Sequence, residues 1–260
     1  MDVFGLLATT FAVTALAMVT LWLLSLALRD ASIVDIFWGP GFALVAVTAY
    51  AMGSGGHPER AALATVLTAL WGLRLGGYLL WRNWGEGEDP RYQAMRRHWG
   101  DRFARMSLVT VFGLQAVLMW FVSLPVQIVN LSGQSGLGLL DALGVALFAT
   151  GLFFESVGDF QLARFRADPA NRGKVMDLGL WRYTRHPNYF GDCLVWWGLF
   201  TIALSTPLGI FTAASPAVMT FFLLRVSGVA MLERSIGKRR PGYAEYARRT
   251  SAFVPMPPRA

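Results

Sequence analysis

Long apolar runs separated by short polar connections dominate this chain. A helix needs about 20 mainly apolar residues to cross the hydrocarbon of a bilayer. By that measure the pattern predicts seven spans, at residues 3–28, 33–52, 61–81, 107–129, 139–158, 190–211 and 212–232. Arg29-Asp30 closes the first, and Ser32-Ile33-Val34-Asp35 opens the second. The last two are divided only by a small-residue bend near 213–216. No basic segment or cleavage site accompanies the first run, so it reads as a span and not as a removed signal. No internal repeat is present. The expectation is an all-α, polytopic membrane protein with seven transmembrane helices in one integral domain over residues 1–260, whose C-terminal half, 139–260, carries cofactor-type chemistry.

Composition agrees. The chain is 55% hydrophobic and only 15% charged, against about 25% charged in soluble domains. A net charge of +7 raises the question of nucleic acid, but the basic residues sit in short connections and not on one soluble face. Connections 82–106 and 159–189 and the tail from 233 are rich in Lys and Arg; 53–60, 130–138 and the last bend are poor. This alternation predicts an outside N-terminus and a cytoplasmic C-terminus. The single cysteine, Cys193, excludes an intrachain disulfide and a thiolate-rich metal site. His57, His98 and His186 are too far apart in sequence for metal-ligand spacing. No glycine-rich dinucleotide fingerprint follows a strand. No nucleic acid, metal or obligate protein partner is expected; the bilayer and a lipophilic small molecule are.

Three stretches concentrate polar chemistry. In 82–105, Asp89-Pro90 signals a helix start, after which Arg91, Tyr92, Met95, Arg96 and Trp99 fall on neighbouring helix faces. Guanidinium groups there suit a polyanion, because the planar fork matches phosphate; an ordinary positive-inside loop is the plainer alternative. In the second stretch Glu155 and Asp159 share a face at i and i+4, with Arg166 seven residues beyond Asp159 and Arg172 and Lys174 following. These acids and cations either pair at the membrane rim or hold a ribose and phosphates. The third stretch, 179–192, packs Arg182, Tyr183, Arg185, His186, Asn188, Tyr189 and Asp192 between two apolar runs, where ionisable groups cost free energy unless partnered.

Together, residues 32–39, 71–74, 87–92, 179–192 and 239–246 resemble the region shared by steroid 5α-reductases, sterol reductases and isoprenylcysteine carboxyl methyltransferases, above all the DUF1295-type bacterial branch of the steroid 5α-reductase family. The resemblance implies seven helices in the plasma membrane enclosing NADPH, reached from the cytoplasm, with a lipid-soluble enone entering from the bilayer. It implies cofactor contacts from Asp159, Arg166, Asn188 and Asp192, and matches Arg74 and Tyr78 to an Arg-x-x-x-Tyr pair on the third helix. Glu155 stands where the reductases carry asparagine. With the basic stretches, the candidate cofactor set is Arg74, Arg91, Arg96, Glu155, Asp159, Arg166, Arg172, Lys174, Arg182, Tyr183, Arg185, His186, Asn188, Tyr189, Asp192 and Tyr246.

Departures from the family concern the substrate end. Val34-Asp35 and Trp71 occupy the places of the Gln-Glu pair and the tyrosine that polarise a steroid ketone, and indole is a donor only. Arg225 and Glu233 lie near the place of the last helix's cofactor arginine and histidine without a clear match. The leading expectation is an NADPH-dependent reductase with Asp35 and Tyr78 as catalytic candidates, Asp35 being a carboxyl kept protonated by apolar surroundings. A helix cap, or an ion pair with Arg29 or Arg74, is the structural alternative for Asp35. The competing enzymatic expectation is S-adenosylmethionine-dependent methylation of a lipid or prenylated thiol. Transport is disfavoured by the lack of repeated halves.

Overall fold

The computed structural model describes residues 2–131, 136–226, 228–229, 233 and 240–259. Among these there is no strand, only an isolated bridge between Thr184 and Ser251. Six helical segments are long and apolar enough to cross a membrane: Val3–Leu28, Ile33–Met52, Pro58–Asn83, Pro90–Val122, Leu139–Ala167 and Gly209–Val226. The sixth expected span is shorter than the pattern suggested. Its helix, Pro187–Ala203, has 17 residues, about 25 Å at 1.5 Å per residue, short of the ~30 Å of hydrocarbon. It gives way to turns before Pro207, whose ring and missing N–H oppose continuation. The end of the seventh expected span (227 and 230–232), tail residues 234–239 with Arg239, and link residues 132–135 lie outside the described residues.

The chain forms two compact units, residues 1–139 with 202–212, and residues 140–201 with 213–260. The first holds α1 (Val3–Leu28), α2 (Ile33–Met52), α3 (Pro58–Asn83), α4 (Pro90–Trp99), α5 (Phe103–Ser107), α6 (Leu114–Val122) and α7 (Leu124–Val129). Asp2 caps α1 by accepting from the Gly5 N–H at 2.7 Å. Asp89 caps α4 by accepting from the Arg91 N–H at 2.8 Å, with Pro90 at the first helical position. The fourth expected span is interrupted, because the helix ending at Val122 breaks at Ser123 before α7, which carries Pro125 in its first turn.

Backbone contact joins α2 to α3. A Cβ on Gly39 would collide with the Gly72 carbonyl oxygen, and one on Gly72 with that of Gly39. One turn on, a Cβ on Gly76 would meet the Pro40 ring at 2.5 Å. Small residues four apart let helices in lipid approach this closely, where packing replaces the hydrophobic drive. Meanwhile α1 runs antiparallel to the rod of α5 and α6. The indole N–H of Trp120 donates to Leu7 O, and that of Trp22 to Ala104 O, each at 2.9 Å. Between them and α7, Thr10 donates to Gln127 Oε1 at 2.6 Å.

The second unit is built on α8 (Leu139–Ala167), with α9 (Pro187–Ala203), α10 (Ala214–Phe221) and α11 (Tyr243–Arg249). Here α8 and α9 meet through facing glycines. A Cβ on Gly151 would lie 2.5 Å from Gly191 O, one on Gly198 2.7 Å from Gly144 O, and one on Gly158 3.1 Å from Pro187. Gly144, Gly151 and Gly158 are each seven residues apart, as are Gly191 and Gly198, so the close contacts recur every second turn.

Replacing Gly72 by Val is therefore expected to destabilise the first unit by about 3 kcal/mol, the upper range for overpacking, measured by thermal unfolding in detergent. Gly77→Ala, where an added Cβ meets nothing within 4 Å, should cost nothing.

Candidate functional site

The short link between α1 and α2 is where the first unit gathers its charges. Arg29 ends α1 in the left-handed region at φ 56°. Asp30 then accepts from the Ser32 N–H at 2.8 Å and from the Ser32 hydroxyl. The loop before α4 docks here: the Asp89 N–H donates to Ser32 Oγ at 3.1 Å, and Glu88 accepts from the Ala31 N–H at 2.9 Å. Arg96 closes this loop with a two-pronged grip on Glu88, at 2.7 and 3.1 Å. Burial pushes the Glu88 carboxyl up, but the Arg96 and Ala31 hydrogen bonds and the Arg96 charge outweigh it and hold Glu88 below its ordinary value. Asp89 is likewise held low against burial by Arg91.

Asp35, on the first turn of α2, is the centre of this cluster. Its Oδ1 accepts from the Tyr92 hydroxyl and its Oδ2 from Arg91 Nη2, both at 2.7 Å. The side chain of Asp35 is 23% exposed, and Tyr92 is buried. Both oxygens of Asp35 thus meet polar donors at the start of α2. Its ion pair is not the anticipated one with Arg29 or Arg74: the partner is Arg91, which also grips Asp89 at 2.9 Å. Arg74 instead lies over the Tyr78 ring at 5.5 Å, shared by Arg82 at 5.7 Å.

In the second unit, Glu155 and Asp159 are buried on one face of α8. Asn188, in the first turn of α9, donates to Asp159 Oδ1 at 3.1 Å. A short turn, Gly179–Arg182, is fixed to α8 by the Leu180 N–H on Gln161 Oε1 at 2.9 Å and the Trp181 indole on Gly158 O at 3.0 Å. Arg185 donates from Nε to Glu233 Oε1 at 2.7 Å and from Nη1 to the carbonyls of Ala247 and Thr250 at 2.7 and 2.8 Å. His186, buried, has Nε2 3.3 Å from the same Glu233 oxygen and stacks on Tyr189 at 5.6 Å. The Tyr246 hydroxyl donates to Trp181 O at 2.5 Å. Arg185, His186 and Tyr246, three of the candidate cofactor residues, thus hold the C-terminal segment against 181–189. Asp192 is buried one turn beyond Asn188.

The remaining cations point outward. Arg166, Arg172, Lys174, Arg182 and Tyr183 are exposed. Among the described residues, no ion pair engages Arg172, Lys174 or Arg182. Arg91 and Arg96 are by contrast already neutralised by Asp35, Asp89 and Glu88. In the second unit the open phosphate-type donors are therefore Arg172, Lys174 and Arg182, whereas Arg91 and Arg96 of the first unit are already taken by acids.

A model of the family described as "Protein of unknown function (DUF1295)" matches residues 21–250. The chain belongs to that family. No curated protein and no solved structure matches it. The family match takes in every candidate residue of both clusters.

Sequence reasoning did not select three participants. The local pattern gives Tyr92 a helix face but no role, Glu88 a place in a motif only, and Glu233 no partner. Their partners lie 57, 57 and 48 residues away, beyond any local spacing.

Glu233 yields a pH prediction. The His186 hydrogen bond, then the Arg185 hydrogen bond and charge, outweigh burial and lower its carboxyl from 4.5 to about 2. A depressed carboxyl contributes stability that is present above its unfolded value and is lost as pH falls through the folded one. Thermal stability should thus decline between pH 4.5 and about 2, and Glu233→Gln should flatten that part of the profile while lowering stability at neutral pH. An unchanged slope in the variant would show that the cluster does not titrate through Glu233.

Proposed function

We propose that the protein is an NADPH-dependent reductase of a lipophilic enone, related to the steroid 5α-reductases. The observation that carries this reading is the Asp35–Tyr92 hydrogen bond at 2.7 Å, a phenol held by a carboxylate at a membrane-helix end. Asp159 with Asn188 offers the acceptor and donor suited to a ribose, and Arg172, Lys174 and Arg182 offer cations suited to phosphates. That set fits a polyphosphate cofactor; S-adenosylmethionine carries no phosphate and makes no use of the open cations. In this reading seven segments cross the membrane, with the N-terminus outside and the C-terminus in the cytoplasm.

NADPH, when bound, supplies a hydride to the β-carbon of the enone. The chain supplies the proton. Tyr92 turns its hydroxyl from Asp35 to the substrate oxygen, stabilises the developing enolate, and passes its proton on. Protonation of the enolate oxygen gives the enol, which tautomerises through water to the saturated ketone, so that the substrate gains one hydride and one proton in all. Asp35, held by Arg91 and partly open to water, orients the phenol and returns a proton to it. The proton donor in this scheme is Tyr92, with Asp35 behind it; Tyr78, under two guanidinium groups, positions Arg74 and Arg82.

Two measurements test the proposal. NADPH should raise the thermal midpoint of the detergent-purified protein and S-adenosylmethionine should not, since a ligand selective for the folded state stabilises it; the opposite result favours the methyltransferase. Tyr92→Phe and Asp35→Asn should each lower enone reduction by about a hundredfold or more, the usual share of general-acid catalysis, while keeping the NADPH-induced shift. Normal turnover in Tyr92→Phe would remove it from the donor role.

A further inference from the structure

The two tryptophan hydrogen bonds that align α1 with α5 and α6 also set the depth of a cationic shelf. Trp120 meets Leu7 and Trp22 meets Ala104, so the antiparallel register places residues 102–105 level with the last two turns of α1. Those turns expose Leu23, Leu24 and Leu28 at 55%, 48% and 58%, the apolar surface of a helix that faces lipid. Arg29 ends α1 two turns beyond Trp22, and Arg97, Arg102 and Arg105 are exposed around the bend at Gly100. That bend has φ +50° and is braced by the Arg96 guanidinium over the Phe103 ring at 4.3 Å. Among the described residues, none of Arg29, Arg97, Arg102 and Arg105 makes an ion pair, whereas nearby Arg91 and Arg96 are both matched to acids.

Unpaired guanidinium groups level with the end of a leucine surface match one ligand chemistry: an anion carried on acyl chains. The chains lie along the leucines, and the arginines meet the phosphate, for which the planar fork is suited. We infer that this shelf is a binding site for the headgroup of an anionic glycerophospholipid, formed by Arg97, Arg102 and Arg105 beside the end of α1. The site is separate from the Asp35 cluster, whose two arginines are both paired with acids, and does not depend on the proposed reductase activity.

The test is thermal unfolding of the full-length protein in a neutral detergent with added phosphatidylglycerol, phosphatidylcholine or inorganic phosphate. Phosphatidylglycerol should raise the midpoint in a saturable way that weakens with salt, and the other two should not. Arg97→Gln, Arg102→Gln and Arg105→Gln combined should weaken its apparent affinity by about a hundredfold, near fivefold per arginine. If the triple variant does not fold, Arg102→Gln alone should show the fivefold loss. Equal stabilisation by phosphatidylcholine or by free phosphate, or an undiminished response in the arginine variants, overturns the inference.

Discussion

A charge at the edge of hydrocarbon must be matched, and this cost organises the polar half of the molecule. Asp35 is met by Arg91 and Tyr92, Glu88 by Arg96 and Ala31, Asp159 by Asn188, and Glu233 by Arg185 and His186. Each match fastens segments far apart in sequence: the start of α2 to α4, α8 to α9, and the C-terminal segment to 181–189. Breaking one partner of such a pair costs more than the pair is worth, because the other is left unsatisfied. The same matching divides the arginines into those consumed by internal acids and those left open, and only the second group has capacity for a ligand.

Glycine supplies the complementary constraint. The Gly39–Gly72 contact brings the α2 and α3 backbones together, and Gly151 against Gly191 does so for α8 and α9. The second contact has a direct consequence for the polar cluster, because Gly191 lies one turn beyond Asn188 and Gly158 precedes Asp159. Close approach of these backbones is what brings a short asparagine within 3.1 Å of a short aspartate. A larger residue at either glycine would separate the elements that carry both.

What was legible in the sequence is what repeats locally. Apolar length revealed the membrane helices, Asp89-Pro90 revealed the start of α4, and the i, i+4 spacing put Glu155 and Asp159 on one buried face. Pairings across the chain were not legible, since nothing local in Asp35 or Tyr92 specifies the other 57 residues away. Hydrophobicity also overcounts helix length, because Ser123 and the Ser205-Thr206-Pro207 turn interrupt apolar runs that a window reads as continuous. The sevenfold spacing of Gly144, Gly151 and Gly158 is a signal that apolar counting passes over, since glycine neither adds to nor breaks the run.

On the proposed reductase reading, cations matched to acids hold the fold and unmatched ones meet NADPH. Isothermal titration of NADPH into an Arg172→Gln, Lys174→Gln, Arg182→Gln triple variant tests it most directly. The variant is expected to melt as the parent does and to bind NADPH at least about tenfold more weakly, a loss of about 1.4 kcal/mol. Unchanged NADPH affinity in a variant that melts normally would contradict it.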